Sequence, residues 1–193
     1  MKERDHRVRV TRMLLRRALC DLLRQKPLQN ISIKELCAQA GVNRGTFYAH
    51  YTDLHGLLGQ MEEEMLGDFR QALEPLLAVG EDHLPPADIT AGIFELLKEN
   101  ADLCTVTLGP YGDKAFALRL LNIGREAYME AYSRLFAGAS PKQLAYFYAF
   151  VSAGCIGLMQ KWLDEGMAIP AQEAARMAEG FMVGGMGSLQ GPR

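Results

Sequence analysis

Apolar residues recur at helical spacing through nearly the whole chain. No stretch keeps the period of two, bounded by turn residues, that a half-buried strand requires. That pattern restricts the chain to an all-α fold. Residues 8–25 place Val10, Leu14, Ala18, Leu19, Leu22 and Leu23 on one face, and Pro27 stops the helix. Residues 53–78 carry Leu54, Leu57, Leu58, Met61, Met65, Phe69 and Leu73 at steps of three and four, which predicts one long amphipathic helix. A loop is expected over 80–86, a shorter helix over 86–99, and a short helix within 100–112 broken by Gly109, Pro110 and Gly112. One helix is expected to run unbroken over 113–137. Ser140 and Pro141 open another, which Gly166 ends, and a last helix starts at Pro170.

Charge divides the chain more sharply than periodicity does. Residues 1–60 hold 11 Lys and Arg against 5 Asp and Glu, and residues 61–193 hold 10 against 18. A basic head on an acidic body fits a head that meets a polyanion. Cys20, Cys37, Cys104 and Cys155 form no C-x-x-C pair and sit among apolar residues. They read as reduced, buried small hydrophobes rather than a disulfide frame. Residues 1–12 are charged and precede no signal-peptide core, and no apolar run is long enough to span a bilayer, so a cytoplasmic protein without a membrane segment is expected.

Residues 31–51 read I-S-I-K-E-L-C-A-Q-A-G-V-N-R-G-T-F-Y-A-H-Y. Ser32 with Glu35 three positions on is a capping box that opens a helix burying Ile33, Leu36, Cys37 and Ala40. Gly41 supplies the left-handed residue that ends it, and Val42 plugs the turn. Asn43 caps a second helix over 44–50, in which Phe47 and Tyr51 face inward together. Two helices joined at such a turn make a helix-turn-helix, whose second helix enters the DNA major groove. Arg44 can then pair bidentately with guanine, and Gly45 lets the backbone approach closely. Tyr48 can stack on or bond to the backbone, while Ser32, Thr46 and His50 position phosphates.

The same residues, followed by T-D-L-H-G-L-L, resemble the TetR family of bacterial regulators over residues 8–60. A fainter echo, Q-K-W-L-D-E-G-M at 160–167, resembles regulators of dihydroxyacetone-kinase genes. The resemblance implies a three-helix DNA-binding domain over 1–52 and a helical ligand-binding and dimerisation domain over 53–193. It implies DNA contacts from Ser32, Asn43, Arg44, Gly45, Thr46, Tyr48, His50 and Tyr51. Partners would be double-stranded DNA at a palindromic operator, a small-molecule effector and a second copy of the chain, with no cofactor and no metal. Lysine is common in the family at the start of the fourth helix, where this chain has Leu54 beside His55. One phosphate contact would be lost or moved to His55.

Met61, Met65, Phe69, Cys104 and Phe116 are candidate effector-lining residues, since methionine suits a cavity that re-packs. Residues 141–165 are apolar on two sides. Leu144, Phe147, Tyr148, Val151, Cys155, Leu158, Met159 and Trp162 form one stripe, and Tyr146, Phe150, Ala153, Gly154 and Gly157 the other. With Ala174, Met177, Ala178, Phe181 and Met182 of the last helix, the second stripe would build a two-fold four-helix interface. Two other classes of function remain open at this point. An enzyme finds no support: the four histidines form no H-E-x-x-H, and P-loop and G-x-S-x-G motifs are missing. A protein-interaction module with vestigial DNA binding is the alternative that Leu54 favours.

Overall fold

The structure, a computed structural model, describes residues 2–77, 86–109, 111–112, 114–135 and 138–184. Of the loop expected over 80–86, residues 80–85 lie outside them, as do the Pro110 break and the tail beyond Gly184; Pro86 opens a helix. Among the described residues the fold is helical throughout. The helices are α1 (Lys2–Leu23), α2 (Ile33–Ala40), α3 (Arg44–Tyr48), α4 (Leu54–Leu77), α5 (Pro86–Glu99), α6 (Ala101–Thr107), α7 (Lys114–Leu121), α8 (Arg125–Leu135), α9 (Pro141–Asp164) and α10 (Ala171–Gly184). Single 3₁₀ turns lie at Leu28–Asn30 and Asn122–Gly124.

The second of these turns divides the helix expected over 113–137. Asn and Gly are weak helix formers. Gly124 is buried there, and a Cβ on it would come within 3.2 Å of the Tyr128 ring. The α-helical hydrogen-bond ladder is interrupted there by a single 3₁₀ turn between α7 and α8. The inward face of α1 also differs by one position from the expected one. Leu15 is fully buried while Leu14 is 37% exposed, so the stripe runs Leu15, Leu19, Leu22 and Leu23.

Two apolar cores form. The head core gathers Leu15, Leu19 and Leu22 from α1, Leu36 and Cys37 from α2, Phe47 and Tyr51, and Leu54, Leu57 and Met61 from the start of α4. The body core gathers Met65, Leu66, Phe69 and Leu73 further along α4 with residues of α5 to α10. One uninterrupted helix therefore serves both cores, and the expected boundary at 52–53 falls inside continuous side-chain contact. Val106 of α6 belongs to the head core, so the body also reaches the head there.

In the body, α5 and α10 share the most extensive contact. Ala171, Ala174, Ala175 and Ala178 are small enough to let α10 lie close against its neighbours. Ser140 and Gln143 form the full capping box that starts α9. Beyond its end, Gly166 takes φ 66° and the Trp162 indole N–H donates to the Ile169 carbonyl at 2.9 Å. That bond pins the turn into α10.

Candidate nucleic-acid interface

The helix-turn-helix forms as its residue types dictate. Ser32 Oγ accepts the Glu35 amide at 3.2 Å and caps α2. The reciprocal half of the expected capping box is not made. The Glu35 carboxylate instead takes both bonds from Lys26 Nζ, at 2.7 and 2.8 Å. The Lys26 ammonium holds that carboxyl below its ordinary range. Gly41 takes φ 67°, where an L side chain would be strained, and its amide closes on the carbonyls of Ala38 and Cys37. Asn43 Oδ1 then accepts the Thr46 amide at 2.7 Å and the Thr46 hydroxyl at 2.9 Å, capping α3.

Phe47 is fully buried and locks α3 onto α2 and α4. Its ring meets Tyr51 at 5.8 Å and Tyr48 edge-on at 5.5 Å. The opposite side of α3 is open. Arg44 and Gly45 are exposed and Tyr48 is 58% exposed. Ser32 and Asn43 are exposed, with Thr46 and His50 half-buried at the margin. Seven of the eight expected contact residues thus keep access to solvent. Tyr51 is the exception. It is 5% exposed and its ring belongs to the head core. Its shielded hydroxyl lies beside the Arg16 guanidinium without a hydrogen bond of good geometry. The ring faces inward as its spacing from Phe47 predicts, and its burial takes it out of the expected contact set.

Leu54 resolves differently from the expectation for a lysine position. It is 7% exposed and packs in the head core, whereas His55 beside it faces solvent.

The expected effector residues are divided between the two cores. Met65, Phe69, Cys104 and Phe116 fill the body core and Met61 the head core. The Cys104 thiol donates to the Met65 sulfur at 3.6 Å, and burial pushes its pKa up to about 12. A small cavity of about 30 Å³, room for a water, lies between α5, the end of α7, α8, α9 and α10. Tyr128, Tyr132, Tyr148, Thr90, Ser152 and Cys155 are among its walls. The Thr90 hydroxyl bonds Tyr128 and donates to Glu179 at 2.7 Å. Burial raises the Glu179 carboxyl above its ordinary range, partly offset by that bond. The available signal was the i,i+4 pair Tyr128–Tyr132 and the run of Tyr148, Ser152 and Cys155 on the body-facing stripe of α9.

Residues 15–61 match the family described as "Bacterial regulatory proteins, tetR family". Residues 86–184, just over half the chain, match the TetR-type family described as "Transcriptional regulator C-terminal region". The chain belongs to the TetR family. A curated relative, "Uncharacterized HTH-type transcriptional regulator YxbF" of Bacillus subtilis, is 27% identical over 182 residues, 91% of this chain. This chain spans about half of that relative's own length, 45%. A TetR transcriptional regulator of Streptococcus agalactiae shares the fold at TM-score 0.60 and 19% identity, over 92% of this chain and 96% of that one. The dihydroxyacetone kinase operon activator DhaS shares it at TM-score 0.51 and 16% identity, over 90% and 94%. At those identities both likenesses concern fold alone. The family is one of transcriptional regulators, and no helix among the described residues is long and apolar enough to cross a membrane.

Proposed function

We propose that this TetR-family chain is a ligand-responsive repressor that acts by binding rather than catalysis. It holds a palindromic operator as a homodimer in the cytoplasm and releases it when a small molecule enters the body. The observation that carries this reading is the exposed edge of α3, with Arg44 and Tyr48 in solvent and Phe47 anchored behind them. Arg44 reads a base edge there, and Ser32, Asn43, Gly45, Thr46, Tyr48 and His50 set the backbone contacts. The basic head, residues 1–52 continued into the first turns of α4, supplies the salt-dependent attraction.

The second copy of the chain docks on α9 and α10. Tyr146 and Phe150 are 71% and 78% exposed, and Met177 and Phe181 of α10 are 42% and 38% exposed. Ala174 and Ala178, counted with that face from the sequence, are buried inside the chain. Nothing lies within 4 Å of a Cβ built on Gly154 or Gly157, so the chain's own fold does not require glycine there. A partner helix approaching closely does.

The effector enters at the tyrosine-walled cavity, and the neighbouring core around Met65, Phe69, Cys104 and Phe116 re-packs to admit it. Because α4 serves both cores, a body packing favoured by the ligand tilts the head, by as much as the ligand's affinities for the two states differ. Selection of binding sites from random duplexes, followed by a salt series on the selected site, tests the reading. A near-palindromic consensus whose affinity falls steeply with salt is expected. Retention of every duplex alike at all salt concentrations would overturn it.

A further inference from the structure

The basic head has a second feature, away from the exposed edge of α3. An open groove of about 1000 Å³ runs between α1 on the head side and α4 and α6 on the body side. Arg9, Arg12, Arg16, Arg17 and Arg24 line it. Three carboxylates, Asp21, Glu64 and Asp102, face them, so cations are in excess. Arg9, Arg12 and Arg16 follow one another at helical steps of three and four. That spacing sets their side chains in a row about 5–6 Å apart. The Nε atoms of Arg12 and Arg16 are shielded from solvent and bond to nothing among the described residues. A guanidinium donor taken from water without an acceptor is costly, and an incoming anion would satisfy it.

Neither the exposed edge of α3 nor Ser32 or His50 borders this groove. It is therefore separate from the proposed DNA contacts, and the tyrosine-walled cavity shares no residue with it. We propose that the groove binds an elongated small molecule carrying two or more phosphate groups. The planar forks of Arg9, Arg12 and Arg16 take its anionic oxygens in series.

Such a ligand also meets the contacts that tie the head to the body. Arg16 pairs with Glu64 of α4, and Arg24 pairs with Asp102 of α6 at 2.6 Å. A phosphate taking either guanidinium competes with that carboxylate. Filling the groove therefore loosens α1 from α4 and α6. Coupling to DNA rests on the repressor reading; binding of the anion does not.

The test uses the full chain without DNA, titrated calorimetrically with inorganic phosphate, pyrophosphate and tripolyphosphate at matched ionic strength, with sulfate as the control. Saturable binding that tightens with the number of phosphates is expected, with sulfate weak. Arg12→Gln should weaken tripolyphosphate binding about tenfold or more, since it removes a charge-assisted bond. Its far-ultraviolet circular dichroism and melting curve show whether it still folds. Glu64→Gln and Asp102→Asn should tighten binding about two- to five-fold by removing the competing carboxylates. Glu63→Gln, one residue away but turned toward Arg119 of α7, should leave it unchanged. Binding no stronger than that of sulfate, or binding that a folded Arg12→Gln variant retains in full, would overturn the proposal. So would an Arg12→Gln variant that loses DNA affinity as heavily as pyrophosphate affinity, since the arginines would then belong to the DNA track. A pyrophosphate-binding protein that fails to select any duplex would leave the site standing and sink only the repressor reading.

Discussion

Two residues of the helix-turn-helix show how burial separates neighbours with similar chemistry. Arg44 opens α3 and Tyr51 follows its end, yet one is in solvent and the other in the head core. Arg44→Ala is expected to weaken operator binding by about 1–3 kcal/mol and to relax the preference at one base position. Binding-site selection repeated with the variant checks this; an unchanged consensus would remove the base-reading role. Tyr51→Phe is expected to leave operator affinity unchanged. Stability should hold within about 1 kcal/mol of the parent or rise, because the hydroxyl that disappears is shielded and poorly bonded. Denaturant melts together with the same DNA titration check both halves.

At the scale of elements, the contact between α5 and α10 contains a half-buried acid. Glu179 of α10 accepts a bond from Thr90 of α5, and burial raises its carboxyl pKa above the ordinary value. A carboxyl with a raised folded-state pKa favours the fold when protonated. That contribution is fully present below the unfolded pKa, near 4.5, and is lost as pH rises through the folded value. Glu179→Gln keeps an acceptor for Thr90 and removes the charge. The variant is expected to be more stable than the parent at neutral pH, with the gap closing as pH falls toward 4.5. Paired denaturant melts from pH 4 to pH 8 measure that gap, and a gap that widened toward acid would reverse the sign. Elsewhere, Arg119 of α7 reaches both Glu62 and Glu63, while the next residue, Glu64, pairs with Arg16. One turn of α4 is thus tied on one side to the body and on the other to the head.

For the whole molecule the decisive question is what covers α9. A helix with apolar residues on both sides is stable in water only when both are buried, and the chain's own body covers one. Gly157→Leu is expected to convert a dimer into a monomer, because the side chain projects into open space within the chain and into the partner across the two-fold axis. The monomer should still fold. Its affinity for a palindromic duplex should fall by about a hundredfold or more, since two tethered half-sites bind by effective concentration. Light scattering gives the oligomeric state and the same duplex gives the affinity. A Gly157→Leu variant that stayed dimeric would move the interface elsewhere on the surface.

Much of this protein is local, and local features can be read along the chain. Helix ends at Ser32, Gly41, Asn43, Ser140 and Gly166 depend on residues three or four positions apart, so their chemistry names them. The helix-turn-helix needs little more, and its exposed edge was legible before any fold was known. Where a side chain competes for partners distant in sequence, local reading stops. Glu35 leaves its box because Lys26, nine residues earlier, offers an ion pair. The helix over 113–137 breaks because Gly124 is buried against the Tyr128 ring and Ile89 of α5. The tyrosine-walled cavity joins five helices and the arginine groove joins three, so spacing along one helix shows part of a wall and not what closes it. Periodicity reports which side of a helix is apolar. Only the tertiary structure decides which of those sides meet, and where they meet imperfectly enough to leave room for a ligand.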